Sequence, residues 1–546
     1  MINKKKKKSI IEMDNIAIAK IFQQVADLLE IQNANSFRVR AYQRAAQILR
    51  SLPTDLRVIA QEKKLDKIPG IGVSLAEKIN ELLTTGKLKE LAYLTKKTPL
   101  SLTRLGEIEG VGPKLIQLVY RKFKVTDIVG LKRIVQQHHL SRLSGFSEKT
   151  EYNILEGIKH WQHYQQRFLL GDVDDLADYL IKQLKNSQLC QQVIMAGSFR
   201  RRRETVGDLG ILVTSRHPVA VMKLFCQLPI VKSIIVQGKT KTAVLLTAGI
   251  EVDLRVVSNQ SFASALFYFT GSKAHNIHLR QLAVAKKMKI NEYGIFSLIK
   301  HGKRTKEKLI SAPNETAIYR ILGLSYIPPE LREDRGEIMV AKQKQLPKLI
   351  KLSDIKGDLH LHSRWSDGTN TVEEMIKQAI AQHYQYLAIT DHASPLGITH
   401  GLNEQRIKQY LKIIKRLQKK YQSKIALLLG IEVDILANGS LYLPNKILQQ
   451  LDIVIASVHT KFKMSKSAMT KRILLAINNP MVNIIAHPTG VSINRREPYP
   501  LDLDKIMLAC RHTGTILELN SFPRRLDLND INCRRAKELG VKIAIN

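Results

Sequence analysis

Gly197-Ser198-Phe199-Arg200-Arg201-Arg202-Arg203-Glu204-Thr205-Val206-Gly207-Asp208-Leu209-Gly210 lies between two apolar runs, Val193-Ile194-Met195-Ala196 and Ile211-Leu212-Val213. Short apolar runs bounded by Gly and polar residues favour strands, so the stretch reads as strand, basic turn, strand. A Gly-Ser corner exposes backbone N–H groups and a hydroxyl, and the adjacent arginines add charge-assisted donors, a set suited to a polyphosphate. Asp208 on the second strand offers a hard oxygen ligand for Mg2+. Ile250-Glu251-Val252-Asp253-Leu254-Arg255-Val256 reads as a further strand and brings Asp253. Two carboxylate-bearing strands beside a phosphate corner meet the needs of two-metal phosphoryl transfer. Either strand alone reads equally well as part of a solvated basic hairpin.

Lys and Arg number 86 against 48 Asp and Glu, a net charge of +38 over 546 residues. Solubility needs far less, so a dense polyanion is implied, nucleic acid first. The length predicts several domains with real cores. No long apolar span appears and the N-terminus is polar, which argues against a transmembrane helix or signal peptide. The Lys4 to Lys8 run reads as a disordered arm with non-specific phosphate affinity, or as a start-site artefact. Cys190, Cys226, Cys510 and Cys533 show no metal-ligand spacing and read as reduced thiols.

From Asp14 to Leu91 the periodicity predicts mostly helix. In Asn35 to Ala46, Phe37, Tyr42 and Ala45 are assigned to the core and the arginines to DNA contact. Ile68-Pro69-Gly70-Ile71-Gly72 then precedes a helix from Val73 to Leu83. Two glycines opening a helix present N–H groups to a backbone phosphate without reading sequence. A second copy carries Gly110 and Gly112, and a weaker third runs from Ser144 to Thr150.

Together these motifs resemble family X DNA polymerases, whose signature runs Gly-Ser, two arginines, then Gly-Asp-x-Asp. Leu266-Phe267-Tyr268-Phe269-Thr270-Gly271-Ser272-Lys273-Ala274-His275-Asn276 and Asn291-Glu292-Tyr293-Gly294 extend the match, and the glycine pairs resemble its helix-hairpin-helix elements. The resemblance implies that Gly197, Ser198, Arg201 and Gly207 form the nucleotide pocket. It makes Asp208 and Asp253 the catalytic ligands of Mg2+ or Mn2+. It also sets Tyr268, Phe269 and Gly271 against the incoming sugar, Asn276 at the nucleotide edge and Arg280 on the template. As bare residues, Tyr268 and Phe269 would be core. Lys78 falls where lyase-active relatives carry their Schiff-base lysine, although Ser74 replaces a second basic position. The main departure is Gly210, which stands where the family has its second aspartate. Glu251, two residues before Asp253 and hence on the same strand face, is a candidate substitute oxygen.

From Gly357 the chemistry changes. His360-Leu361-His362 puts two imidazoles on one strand face, Asp367 follows, and later apolar runs end in Asp391-His392, Glu432, His459 and His487. Ligand-type residues at successive strand ends, with helices between, predict a (β/α) barrel with its site on one rim. Mixed imidazole and carboxylate donors suit Mn2+, Zn2+ or Fe acting on a phosphodiester. This half resembles the PHP phosphoesterase domain, which bacterial family members join to the polymerase core. His360, His362, Asp367, His392, Glu432, His459 and His487 match its ligands, and the family's final Asp-x-His would fall beyond Asn546, so a truncated cluster is expected.

The implied architecture is multidomain α+β and α/β. Helical helix-hairpin-helix domains occupy 1–92 and 93–160 (fingers), a nucleotidyltransferase palm 161–262, a thumb 263–325, a Pro-containing linker 326–352 and the PHP (β/α) barrel 353–546. The expected function is gap-filling DNA synthesis in repair with an attached 3′–5′ exonuclease, both weakened by the two departures. A non-catalytic gap- or end-binding relic and an exonuclease alone are the alternatives. Gapped or nicked DNA and dNTPs are the expected partners of a monomer in the bacterial cytoplasm, associated with the nucleoid and not with a membrane.

Overall fold

The computed structural model describes residue 13 and residues 15–52, 54–108, 110–143, 145–164, 167–301 and 304–546. The Lys4–Lys8 run, together with Glu109 and Ser144 of the second and third hairpins, lies outside these residues. The chain divides into two compact units, Met1–Leu346 and Pro347–Asn546. Among the described residues, no helix is long and apolar enough to cross a membrane.

One turn recurs three times in the helical part. The N–H of Ile71 donates to Ile68 O at 2.9 Å, that of Val111 to Ile108 O at 3.0 Å, and that of Phe146 to Leu143 O at 3.1 Å. The third residue of each turn is a glycine at positive φ: Gly70 at 91°, Gly110 at 83° and Gly145 at 87°. That conformation is costly for any residue with a Cβ, which is why the sequence places glycine there. A helix follows each turn: Val73–Thr85, Pro113–Phe123 and Glu148–Tyr164. Ile68, Ile71, Ile108 and Val111 are buried and pin the first two turns, while Gly72 and Gly112 stay exposed at the helix starts.

Helices Asn15–Ile31 and Ser36–Ser51 bury Val39, Tyr42, Ala45, Ala46 and Leu49, the 3.6-residue stripe of the second helix. Phe37 corrects the sequence reading: it is 76 % exposed, not core. It lies two residues before Val39, about 200° around the helix from the stripe, and the Arg40 guanidinium sits 4.7 Å over its ring.

The next layer is a five-stranded sheet of β1 (Gln192–Met195), β2 (Asp208–Thr214), β3 (Val231–Gln237), β4 (Lys241–Leu246) and β5 (Glu251–Val257), in the order β1-β2-β5-β4-β3. The basic turn is partly helical, with Gly197–Arg200 forming one turn of helix before Thr205–Val206 pairs with Phe168–Leu169. Helix Phe262–Thr270, helix Lys273–Ala285 and an antiparallel sheet of β6 (Met288–Asn291), β7 (Gly294–His301) and β8 (Arg304–Ile310) follow. The stretch expected to be an extended linker is in large part packed structure. Ile327, Arg332, Ile338 and Ala341 are buried, and Glu337–Lys342 is helical. The apolar spacing of Ile338 and Ala341 closes the same core as Ile318 and Tyr319, which the prolines had masked.

In the second unit every strand pairing is parallel, in the order β9 (Gly357–Asp358), β10 (Tyr386–Ile389), β12 (Ala426–Asp434), β13 (Ile453–Ser457), β14 (Ile484–Ile485), β15 (Ile516–Leu519), β16 (Ile543–Ile545), with β11 (His392–Ala393) also on β12. The strands are short and almost wholly apolar, as expected of a parallel sheet covered by helices. The Asn546 side chain reaches back across the ring, accepting from Leu359 N–H at 3.1 Å.

Candidate functional site

In the first unit the site follows from one register. β2 and β5 are parallel neighbours, with Asp208 opposite Glu251 and Gly210 opposite Asp253. These four residues therefore share one sheet face, alternating with the buried Leu209 and Val252. Burial, then the charge of Asp253, pushes the Asp208 carboxyl above its ordinary range, with Arg167 and Arg201 partly offsetting this. Asp253 Oδ1 is buried without a hydrogen-bond partner, and Lys241 Nζ lies 3.7 Å from Oδ2. Two crowded carboxylates, one with an orphaned oxygen, fit a divalent cation. A Cβ built on Gly210 would find its nearest atom, Ala196 Cβ, 4.0 Å away, so the face has room for a side chain there.

Gly197 and Ser198 open the helical turn beside this face, and Gly207 is the bend before Asp208. Arg201 is committed within the protein: its Nη1 donates to Thr270 O at 2.6 Å and its Nε to Glu333 at 2.8 Å. Arg200 grips Glu315 and Thr270 Oγ1, and the buried Arg332 joins the same Glu315 at 2.5 Å. Both arginines thus tie the turn to the Thr270-Gly271 corner. Tyr268 and Phe269 are half-buried rather than core, in a T-shaped pair with Arg255 4.6 Å over the Phe269 ring. Asn276 is buried; its Nδ2 donates to Tyr268 O at 2.7 Å and its Oδ1 is left without a partner. Arg280 is exposed on the same helix. Lys78, the lyase candidate, ion-pairs with Glu90 at 3.0 Å instead of standing alone in an apolar pocket, the setting that prepares an amine nucleophile. Glu90 also takes the Tyr42 hydroxyl and Arg38.

The second unit brings together all seven residues expected to be ligands. Glu432, fully buried at the end of β12, is their hub. Its Oε2 lies 3.3 Å from His360 Nε2, 3.3 Å from His362 Nε2 and 2.8 Å from His392 Nδ1. Its Oε1 lies 3.4 Å from His459 Nε2 and 3.2 Å from His487 Nε2. Asp367 completes the set, 2.9 Å from His362 Nδ1 and 3.6 Å from His392 Nε2. Five imidazoles cannot share one carboxylate as good hydrogen bonds. His392 Nδ1, turned to Glu432, and His487 Nδ1, the ring nitrogen that does not face Glu432, are both buried without a hydrogen bond, a donor set that fits borderline divalent ions.

The sequence reading missed the groups that orient these ligands. Glu518, buried on β15, accepts from His360 Nδ1 at 2.6 Å, from the His487 N–H at 2.7 Å and from Asn546 Nδ2 at 2.9 Å. Asp434 sits 2.7 Å from His459 Nδ1, with Ser394 Oγ donating to it. Such carboxylate–imidazole contacts fix tautomer and ring direction. Neither Glu518 nor Asp434 stands out in the sequence: Glu518 is a single carboxylate in an otherwise apolar strand, and Asp434 follows Glu432 at the end of another. Burial opposes charge on His392, but Asp367 and Glu432 carry its pKa to about 10. Burial and then Arg525 hold His487 down at about 4.

The helix-hairpin-helix domain matches residues 13–88, the SAM-like helix-hairpin-helix tandem 102–160, the DNA polymerase beta thumb 265–333 and the PHP domain 358–490. A Bacillus subtilis (strain 168) protein named DNA polymerase/3′-5′ exonuclease PolX is 36% identical over 531 residues, covering 97% of this chain and 91% of its own. A probable phosphatase of Thermoanaerobacter sp. (strain X514) is 36% identical over 200 residues, 34% of this chain and 76% of its own. DNA polymerase lambda of Rattus norvegicus is 25% identical over 348 residues, 58% of this chain and 56% of its own. Matched along nearly the whole of both sequences to the Bacillus protein, the chain belongs to the bacterial PolX family of DNA polymerases.

Proposed function

We propose that the chain fills short gaps in DNA through its palm, residues 161–262, and removes nucleotides from 3′ ends through its PHP barrel. The observation that carries the first activity is the β2–β5 register, which aligns Asp208 and Asp253 beside the Gly197-Ser198 turn. Ser198 and the backbone of that turn hold the triphosphate of a dNTP. Arg201 keeps the Thr270-Gly271 corner and the turn at a fixed distance, and Asn276 Oδ1 faces the nucleotide edge. Gly70, Gly72, Gly110 and Gly112 let the helix starts approach backbone phosphates, and Arg280 meets the template. Divalent ions, when bound, supply Lewis-acid chemistry at both centres: Mg2+ or Mn2+ in the palm, and Mn2+, Zn2+ or Fe in the barrel.

In the barrel, Glu518 and Asp434 hold His360 and His459 through Nδ1 and so turn the Nε2 of each ring toward Glu432. That geometry supports phosphodiester hydrolysis. Gly210 offers no oxygen to the palm. A loss of about 4 kcal/mol of transition-state stabilisation is a thousandfold in rate, so the parent chain is expected to synthesise slowly. The test is to give the full chain one-nucleotide-gapped DNA with dNTPs and either Mg2+ or Mn2+, and to follow both reactions. Asp253→Asn is expected to abolish incorporation and spare trimming, and Glu432→Gln to do the reverse. Undiminished incorporation by Asp253→Asn would overturn the palm assignment.

A further inference from the structure

The mouth of the barrel pocket holds an aromatic ring and two arginines that the ligand cluster does not use. The pocket, about 680 Å3, is lined by the imidazoles and also by Phe522, Arg496 and Arg525. Phe522 keeps 60 % of its surface exposed. Its loop is nevertheless anchored: Arg524 O accepts from Ile493 N–H at 2.8 Å, Asp527 accepts from Thr489 N–H at 3.0 Å, and Asp527 N–H donates to Asn520 O at 3.2 Å. A large apolar ring held open by a fixed loop at a polar pocket offers a stacking face, whereas a ring on a loose loop would fold down.

The arginines are equally placed. The Arg496 guanidinium lies 3.9 Å over the Phe462 ring, which stacks on Tyr499 at an interplanar angle of 16°, and its Nε donates to Gly490 O at 2.8 Å. Arg525 Nη1 is buried without a hydrogen-bond partner. Asp527, the carboxylate nearest to Arg525 in sequence, is committed to the Thr489 N–H. Two guanidiniums lining one pocket, one of them with a buried donor left without a partner, make a site suited to an oxyanion.

We propose that Phe522, Arg496 and Arg525 form a subsite for the 3′-terminal nucleotide of a DNA strand, the ring stacking on the terminal base and the guanidiniums holding phosphate oxygens. The proposal rests on the nuclease reading of the barrel and assigns the residues that distinguish a polynucleotide end from a free phosphomonoester. Stacking on one ring is insensitive to base identity, so the subsite accepts all four bases.

The test reads the subsite apart from hydrolysis. A short oligodeoxynucleotide carrying 5-iodouracil at its 3′ end is irradiated with the full chain without added metal, and the crosslink is mapped by mass spectrometry. Crosslinking to Phe522 from the 3′ label and not from a 5′ label is expected; equal crosslinking from both ends would overturn the proposal. In Mn2+, Phe522→Ala is expected to raise KM for the oligonucleotide about tenfold with little change in kcat, and Phe522→Trp to restore KM. An unchanged oligonucleotide KM, or a loss confined to kcat, would also overturn it. If the parent chain does not hydrolyse the oligonucleotide, the nuclease reading fails, and the crosslink still decides whether the subsite exists.

Discussion

Glu518 shows how much of the barrel site depends on residues that bind nothing themselves. It holds His360 and the His487 backbone together from β15, and burial would raise its carboxyl if the His360 charge did not hold it at about 2. Glu518→Gln keeps the shape and removes the charge. We expect 3′ trimming to fall ten- to a hundredfold and bound metal, read by elemental analysis, to fall with it. Full metal content at reduced rate would mean that Glu518 acts elsewhere. At this scale the sequence disclosed donors but not their supports. His360-Leu361-His362 announces itself by spacing, whereas Glu518 and Asp434 are carboxylates inside apolar strands. Phe37 failed for the opposite reason: an aromatic beside a helix start looks like core until the helix phase is known.

Among elements, the hairpins and the Glu315 junction carry the clearest expectations. A Cβ on Gly70 would fall 2.6 Å from Ile48 Cδ1 at a φ of 91°, while Gly110, at 83°, has open space. Gly70→Ala should therefore destabilise by about 2 kcal/mol or more, and Gly110→Ala by about 1 kcal/mol from the left-handed backbone alone, measured by urea unfolding. Glu315, the buried hub between Arg200 and Arg332, would be raised by burial, but the two guanidiniums hold it below the usual carboxylate range. Its folded value lies below its unfolded one, so its contribution is complete above about pH 4.3 and is lost as pH falls through the folded value. Glu315→Gln should cost about 3 kcal/mol at neutral pH and flatten the acid limb of the stability curve; an unaltered acid limb would refute the linkage. The hairpins were legible because glycine at positive φ leaves a mark in the sequence. The packing of residues 326–342 was not, since prolines signal an extended path whether or not a core lies beside it.

For the whole molecule, a net charge of +38 and three phosphate-type hairpins predict that gapped-DNA affinity is mainly electrostatic. Raising salt from 50 to 200 mM should weaken it by about a thousandfold, and a flat salt response would contradict phosphate gripping. The candidate ligands of both centres could be read from motifs, because carboxylates and imidazoles stand out against the apolar strands that carry them. The meaning of Gly210 could not be read, because it depends on what its neighbours leave free. The structure places it opposite Asp253 with open space around it. The most direct test of the palm assignment is primer extension on one-nucleotide-gapped DNA with Mg2+, for the parent chain beside Gly210→Asp. The variant is expected to fold normally and to extend about a thousandfold faster. Equal rates would show that another oxygen, with Glu251 the first candidate, already completes the site.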